Sequence, residues 1–326
     1  MDTLTKARVA EILEKTREQK IVVLGDLMLD EFVWGDVTRI CPEAPVPVVE
    51  IRRESFHLGG AANVLANVVA LGAHAAVVGV VGKDAAADRL RSSLRELDPA
   101  SDLLIADESR PSTVKTRIIA HNQLVVRADR ELRRPVSKEI EDQIISALKE
   151  ALTDAKAFII SDYDKGVVTP AILREILPFA YDRLPVLIDP KLRNFNFYRP
   201  ATLVTPNHHE ALRMSDIEED SDSGLHIAAQ KIREKLDCDA VLITRGDRGM
   251  MLVKRDGDSV YVKTAAREVY DVTGAGDTVI ATLACTLLTG ASMVDAATMA
   301  NHAAGIVVGK VGTATATAQE LIATFG

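Results

Sequence analysis

Asp271-Val272-Thr273-Gly274-Ala275-Gly276-Asp277 leads directly into Thr278-Val279-Ile280-Ala281-Thr282-Leu283-Ala284-Cys285-Thr286-Leu287-Leu288, a run of small and apolar residues that reads as a buried helix. Glu268-Val269-Tyr270, just before it, reads as extended chain. The first N–H groups of such a helix lack intrahelical acceptors and its dipole adds partial positive charge, so an anion or a developing phosphoryl charge can sit there. Gly274 and Gly276 let the backbone approach that charge closely. Asp277, in the first turn, is placed to take a proton from a hydroxyl attacking the phosphate. The same residues also suit a plain tight turn followed by an acid that complements the helix dipole, so the rest of the chain decides between the two.

The 326 residues suffice for one large α/β domain or two modest ones, and an apolar content of 47% can fill a substantial core. A net charge of -8 lacks the basic excess with which proteins bind nucleic-acid backbones, and aromatic residues make up only 4%, so no nucleic-acid partner is expected. Cys41, Cys238 and Cys285 are scattered without metal-ligand spacing and fit free thiols in a reducing compartment, which points to the cytoplasm. Residues 1–20 are charged and helical in pattern with no apolar signal region, and no run approaches the length of a membrane span. Asp216-Ile217-Glu218-Glu219-Asp220-Ser221-Asp222 reads as a solvated loop.

Apolar strand candidates alternate with helical segments: Ile21 to Leu24, Ala75 to Val80, Ala157 to Ile160, Val186 to Ile188, Thr202 to Val204 and Ala240 to Ile243. The helices read at Ala61 to Leu71, Ala85 to Leu97, Lys138 to Leu152, Leu225 to Leu236, Ala275 to Leu288 and Ser292 to Val308. This alternation implies an α/β fold with a central, mainly parallel sheet and helices on both faces, in one continuous domain over residues 1–326. Two segments break the pattern. Residues 31–56 hold Pro42, Pro45 and Pro47 among β-branched residues, and 113–127 alternate polar and apolar positions, so both read as β-rich insertions. They either pair into a small lid over the C-terminal edge of the main sheet, where open α/β folds bind ligands, or extend that sheet.

No Walker loop is present, since Gly82-Lys83 and Gly309-Lys310 lack the upstream glycine and the following Ser or Thr. Any phosphate is therefore bound by another device, the glycine turn at 274–276. That turn occurs in order with Gly25-Asp26-Leu27-Met28-Leu29-Asp30, Gly59-Gly60-Ala61-Ala62-Asn63, Asn207-His208-His209-Glu210, Thr244-Arg245-Gly246 and Met299-Ala300-Asn301. Together these resemble the ribokinase (PfkB) family of carbohydrate kinases over nearly the whole chain.

The resemblance implies a ribokinase-like fold, ATP and Mg2+ as cofactors, and a sugar as substrate. It implies that Asp277 is the base, that Gly274, Ala275 and Gly276 supply the anion hole, and that Asp30, Gly59, Gly60 and Asn63 contact the sugar. It places Asn207 and Glu210 at the ATP phosphates and magnesium, Glu210 acting through metal-bound water. His208 and His209 would line the nucleotide site; adjacent residues on a helix point apart, which argues against a zinc pair. Thr244, Gly246 and Asn301 would hold the nucleotide, and Asp271 and Thr273 match a monovalent cation site of the K+ type, with shaping of the turn as their alternative role.

Arg39-Ile40-Cys41-Pro42-Glu43-Ala44-Pro45-Val46-Pro47-Val48, Ser161-Asp162-Tyr163-Asp164-Lys165-Gly166 and Ile188-Asp189-Pro190-Lys191 narrow the resemblance to the D-glycero-β-D-manno-heptose 7-phosphate kinases, the kinase half of the bifunctional ADP-heptose synthesis protein, with Cys41 where Ser is expected. A substrate already carrying a phosphate needs cations remote from the reacting C1 hydroxyl; Lys115, Arg117, Arg127 and Lys165 are candidates, with Arg117 and Lys165 preferred, while Lys191 could meet nucleotide phosphates. The His-x-Gly-His signature of the nucleotidylyltransferase half does not occur, so kinase activity alone is expected. The motif-bearing insertions suggest a homodimer through the lid.

Overall fold

A computed structural model describes residues 4–121, 123–266 and 268–326; Met1, Asp2 and Thr3 of the expected N-terminal helix and Asn122 of the second β-rich insertion lie outside the described residues. In chain order the strands are β1 (Lys20–Gly25), β2 (Leu27–Ile40), β3 (Pro47–Gly60), β4 (His74–Val81), β5 (Asp102–Ala106), β6 (Val114–Ala120), β7 (Gln123–Arg130), β8 (Ala157–Ser161), β9 (Val186–Asp189), β10 (Ala201–Val204), β11 (Cys238–Thr244), β12 (Met250–Lys254) and β13 (Ser259–Val262). The helices are α1 (Lys6–Thr16), α2 (Ala61–Ala70), α3 (Ala85–Leu97), α4 (Lys138–Ala151), α5 (Pro170–Tyr181), α6 (His208–Ser215), α7 (Asp222–Leu236), α8 (Ala275–Leu287), α9 (Met293–Val307) and α10 (Ala318–Ala323).

Nine strands form the main sheet in the order β13-β12-β11-β10-β9-β8-β1-β4-β5. It is parallel except where β12 and β13 turn back antiparallel at one edge. The inner strands are largely apolar runs because both faces are covered. Alternate residues serve opposite cores: Ile21 and Val23 of β1, with Ala157 and Ile159 of β8, join α2, α3, α8 and α9. Val22, Leu24, Phe158 and Ile160 join α4, α5, α6 and α7. The period of two along each strand thus divides one sheet between two helical layers. Among the described residues no helix is long and apolar enough to cross a membrane.

The two irregular segments pair with each other. They form a separate four-stranded sheet, β3-β2-β6-β7, so the option that they extend the main sheet is overturned. Its centre is the parallel pairing of β2 with β6, from Leu29 opposite Val114 to Gly35 opposite Ala120. Residues 268–270, read as extended chain, lie outside both sheets; the N–H groups of Tyr270 and Asp271 instead donate to Val308 O at 2.7 and 3.2 Å.

β1 of the main sheet passes into β2 of the lid across Asp26 alone. Gly25 is required there, since a Cβ would stand 2.1 Å from Ser161 O. The Asp26 carboxylate is buried and accepts the N–H groups of Tyr163, Lys165 and Val167 at 2.8, 3.1 and 3.2 Å, while its carbonyl takes Ala61 N–H at 3.1 Å. Asp26→Ala leaves three backbone donors without that acceptor, and a buried donor without a partner costs roughly 1–3 kcal/mol. The unfolding free energy, measured in denaturant, should fall by about 3 kcal/mol, and a loss under about 1 kcal/mol would refute this account of the junction.

Candidate active site

Side chains cap eight of the helices among the described residues, from Thr5 at α1 to Thr317 at α10. α2 and α8 instead begin on Gly60 and Gly274, both with positive φ (59° and 79°) and neither with a side-chain cap. These two starts lie side by side at the C-terminal edge of the main sheet, and Asn63, Asn67, Asp277 and Thr278 fill the seam between the helices. A Cβ on Gly274 would stand 2.6 Å from Asn63 Nδ2, whereas one on Gly276 would meet nothing within 4 Å, so that position faces open space. Within the turn Ala275 N–H donates to Val272 O at 3.2 Å, which takes it out of the expected trio of anion-hole donors.

Asp277 is 1% exposed and its carboxylate is held at both ends: Asn63 Nδ2 donates to Oδ2 at 2.8 Å and Tyr163 Oη donates to Oδ1 at 2.7 Å. Burial pushes the carboxyl up to about 6, opposed by these two hydrogen bonds and by Lys191, and reinforced by the charge of Asp30. Such a group is ionised at neutral pH yet close enough to titration to accept a proton.

Asn63 was expected at the sugar. It is buried and donates its amide to Asp277, with its side-chain oxygen accepting from Asn67 at 3.3 Å. Gly59 and Gly60 make room: a Cβ on Gly59 would fall 2.3 Å from Asp30 Oδ2, and one on Gly60 2.4 Å from Asp26 O. Asp30, 2% exposed on β2, pairs with Arg117 Nη1 of β6 at 2.5 Å. Arg117, expected as a remote phosphate contact, is thus engaged with the Asp30 carboxylate. Lys165 lies farther along, 8% exposed at its side chain, 2.6 Å from Glu131. Lys115 joins it: burial, and then the charge of Lys165, lowers its pKa, and its nearest carboxylate is Asp129 at 4.0 Å. Arg127 folds onto Asp129 at 2.9 Å on the exposed strand β7.

On the other side of Asp277, Asn207 and Glu210 form a capping box at the start of α6, Asn207 Oδ1 accepting Glu210 N–H at 2.9 Å and Glu210 Oε2 accepting Asn207 N–H at 3.0 Å. The second Glu210 oxygen pairs with Lys191. Asp189 at the end of β9 is pushed up to about 8, chiefly by burial and by the charges of Glu210, Asp277 and Asp162 against the pull of Lys191. A cavity of about 170 Å³ lies over the glycine turn, lined by Thr244, Gly246, Met250, Ala275, Gly276 and Asn301 among others. Asn301 also donates to Lys263 O at 2.7 Å. His208 and His209 are not part of that lining; their rings sit 3.8 Å apart at the first turn of α6, where the side chains turn outward.

Asp271 shapes the turn. Its oxygens accept the N–H groups of Thr273 at 2.9 Å and Gly312 at 3.0 Å; burial alone would raise its pKa, but these bonds hold it below the usual range. Tyr163 and Asp189 were not assigned to the centre by sequence reasoning, although both lie at the C-terminal ends of parallel strands, where open α/β sheets collect their ligands; Lys191, expected as a possible contact to nucleotide phosphates, lies two residues beyond β9.

The sequence profile described as pfkB family carbohydrate kinase matches residues 18–320. The bifunctional protein HldE of Trichlorobacter lovleyi is 43% identical over 321 residues, covering 98% of this chain and 65% of its own length. That of Paramagnetospirillum magneticum is 44% identical over 318 residues, covering 96% and 64%. The chain thus spans about two thirds of the length of these relatives. Among solved structures, phosphofructokinase-2 of Escherichia coli in complex with substrates and products aligns at a TM-score of 0.78 and 17% identity, covering 94% of this chain and 99% of that one. Ribokinase of Arabidopsis thaliana with ribose and ATP gives 0.73 and 17%, covering 94% and 98%.

The Asp277 carboxyl should titrate near pH 6 rather than near 4; carboxyl carbon NMR of the wild type against Asp277→Asn identifies the resonance, and an ordinary value would overturn the burial argument. With a ribokinase-like main sheet, a four-stranded lid and a profile match over residues 18–320, the chain belongs to the pfkB family of carbohydrate kinases.

Proposed function

We propose that this kinase transfers the γ-phosphoryl group of ATP to the C1 hydroxyl of D-glycero-β-D-manno-heptose 7-phosphate, giving the 1,7-bisphosphate and ADP on the way to the ADP-heptose of lipopolysaccharide. The carrying observation is a set of basic side chains gathered near Asp30: Arg117 pairs with Asp30, Lys115 lies opposite Asp30 across the β2–β6 pairing, and the charge of the buried Lys165 acts on Lys115. A sugar that already carries a phosphate fits such a cluster. The motif resemblance to heptose kinases and the 43% identity to proteins named HldE support the same choice.

In this reading the C1 hydroxyl gives its proton to Asp277 as its oxygen bonds to the γ-phosphorus, and the bond from that phosphorus to the ADP oxygen breaks. The N–H groups of Gly274 and Gly276 face the charge on the transferring group. Asp30 accepts from sugar hydroxyls, Lys165 with Lys115 takes the 7-phosphate, and Lys191 meets the phosphates of the nucleotide. Thr244, Gly246 and Asn301 hold the nucleoside in their cavity. The donor set suits magnesium, because a buried carboxyl pushed up to about 8 beside Glu210 marks a place short of positive charge. Bound through water at Glu210, the ion would supply charge neutralisation for the phosphates. K+ would rest at the turn of Asp271 and Thr273. A homodimer through the lid would cover Ile40, Ile51, Leu124 and Val126, which are 62, 57, 59 and 49% exposed.

Asp277→Asn should lower turnover about 10³-fold with little change in ATP affinity, and wild-type turnover should fall away below about pH 6 as the base is protonated. Near-normal turnover in the variant would sink the assignment of the base. For the substrate, Lys165→Met should raise KM for the heptose 7-phosphate roughly 10-fold or more. Preferred turnover of fructose 6-phosphate or adenosine in a substrate panel would refute the heptose.

A further inference from the structure

We propose that Tyr163 is a positioning residue for the kinase reaction, one that holds the Asp277 carboxylate in its working orientation and keeps it ionised at neutral pH. The inference rests on the reading of Asp277 as the base. Asn63 restrains Asp277 from α2; Tyr163 restrains it from the opposite side, its Oη only 2.7 Å from Oδ1. A carboxylate gripped at both oxygens by donors cannot swing, and one lone pair on each oxygen is still free for a sugar hydroxyl. The phenol itself is fixed by its backbone, because Tyr163 N–H donates to the buried Asp26 carboxylate at 2.8 Å, and by the Lys191 ammonium 5.7 Å from the ring centroid.

Several charges bear on this pair. Asp30 of β2 repels an ionised Asp277 and Lys191 attracts it; Asp189 of β9, pushed up to about 8, keeps its proton through the acid limb; Asn63 is neutral, and Arg117 is engaged with Asp30. Against burial and the charge of Asp30, the phenol hydrogen bond is one of the few interactions that favour the carboxylate. Burial, followed by the charge of Asp277, raises the Tyr163 pKa well above its ordinary value, so the hydroxyl remains a donor throughout the working range.

Loss of one hydrogen bond to a charged, buried carboxylate moves its titration by about 1 pH unit. In Tyr163→Phe the acid limb of kcat should therefore shift upward by about that amount. Turnover relative to wild type should be about 3-fold lower near pH 6.5 than near pH 8.5, where the base is ionised in both proteins. A purely structural role would lower activity at all pH values alike and leave the limb in place, and that result would overturn the proposal. Site-specific 3-fluorotyrosine at 163 keeps the ring and makes a stronger donor; it should move the limb downward, so a fold lost in Tyr163→Phe does not leave the question open, and an unmoved limb in the fluorinated protein refutes the proposal. If Asp277→Asn retains the wild-type limb, the base assignment fails instead, which separates the two failures.

Discussion

The site hangs from one residue, Asp26. Its N–H bonds Ser161 O at 3.2 Å, its carbonyl accepts the first N–H of α2, and its carboxylate gathers three N–H groups of the segment after β8. Burial and the neighbouring charge of Asp162 push that carboxylate up to about 6, against its three N–H bonds. One residue thus ties together the lid strand and the α2 start through its backbone, and Tyr163 and Lys165 through its carboxylate. Without it the donors around Asp277 would have no common frame.

The second constraint is the choice of glycine at two helix starts. A Ser, Asp, Asn or Thr cap would satisfy a free N–H group of α8 within the protein, as it does at eight other helices among the described residues, and an incoming anion would then have to displace it. Gly274 leaves the helix end without a side-chain cap and brings it against Asn63; Gly276 keeps the space above it open. Beside this positive end stand Asp277, Asp189, Asp30 and Glu210, so the pocket holds a strong field gradient between backbone donors and carboxylates. Both halves of a phosphoryl transfer, a nucleophile that must lose a proton and an acceptor that must tolerate charge, are matched by that gradient.

Much of this was legible in the chain. Strands buried on both faces are unbroken apolar runs, and the inner strands β1, β4, β8, β9, β10 and β11 all stand where such runs predict them. α1 was read as a helical pattern; α5, α6 and α10 were not read as helices, since Pro170 and Pro178 obscure the first and the other two span only 8 and 6 residues. The pairing of β2 with β6 was one of two open options, because register between segments 85 residues apart leaves no local trace. At the site the motif positions were visible, but not the direction of each side chain. Asn63 turns to Asp277 and Arg117 to Asp30 through contacts between elements distant in sequence, separated by 214 and 87 residues respectively. Tyr163 was in view within a quoted motif, yet only the Asp26 anchor, itself three-dimensional, aims it at Asp277.

β2 belongs to two structures at once: its first residues carry Asp30, and its later ones run out into the lid beside β3 and β6. No hinge of loop separates the two parts, since the strand is continuous from Leu27 to Ile40. Were Asp30 to hold the sugar, occupancy of that site would be tied directly to the attitude of the lid. An affinity measured for the sugar is then a weighted average over lid attitudes, weakened by the fraction of molecules whose strand is not already in the binding posture. Changes at the outer rim of the lid, far from any substrate atom, will register as changes in apparent sugar affinity without altering a single contact to the sugar.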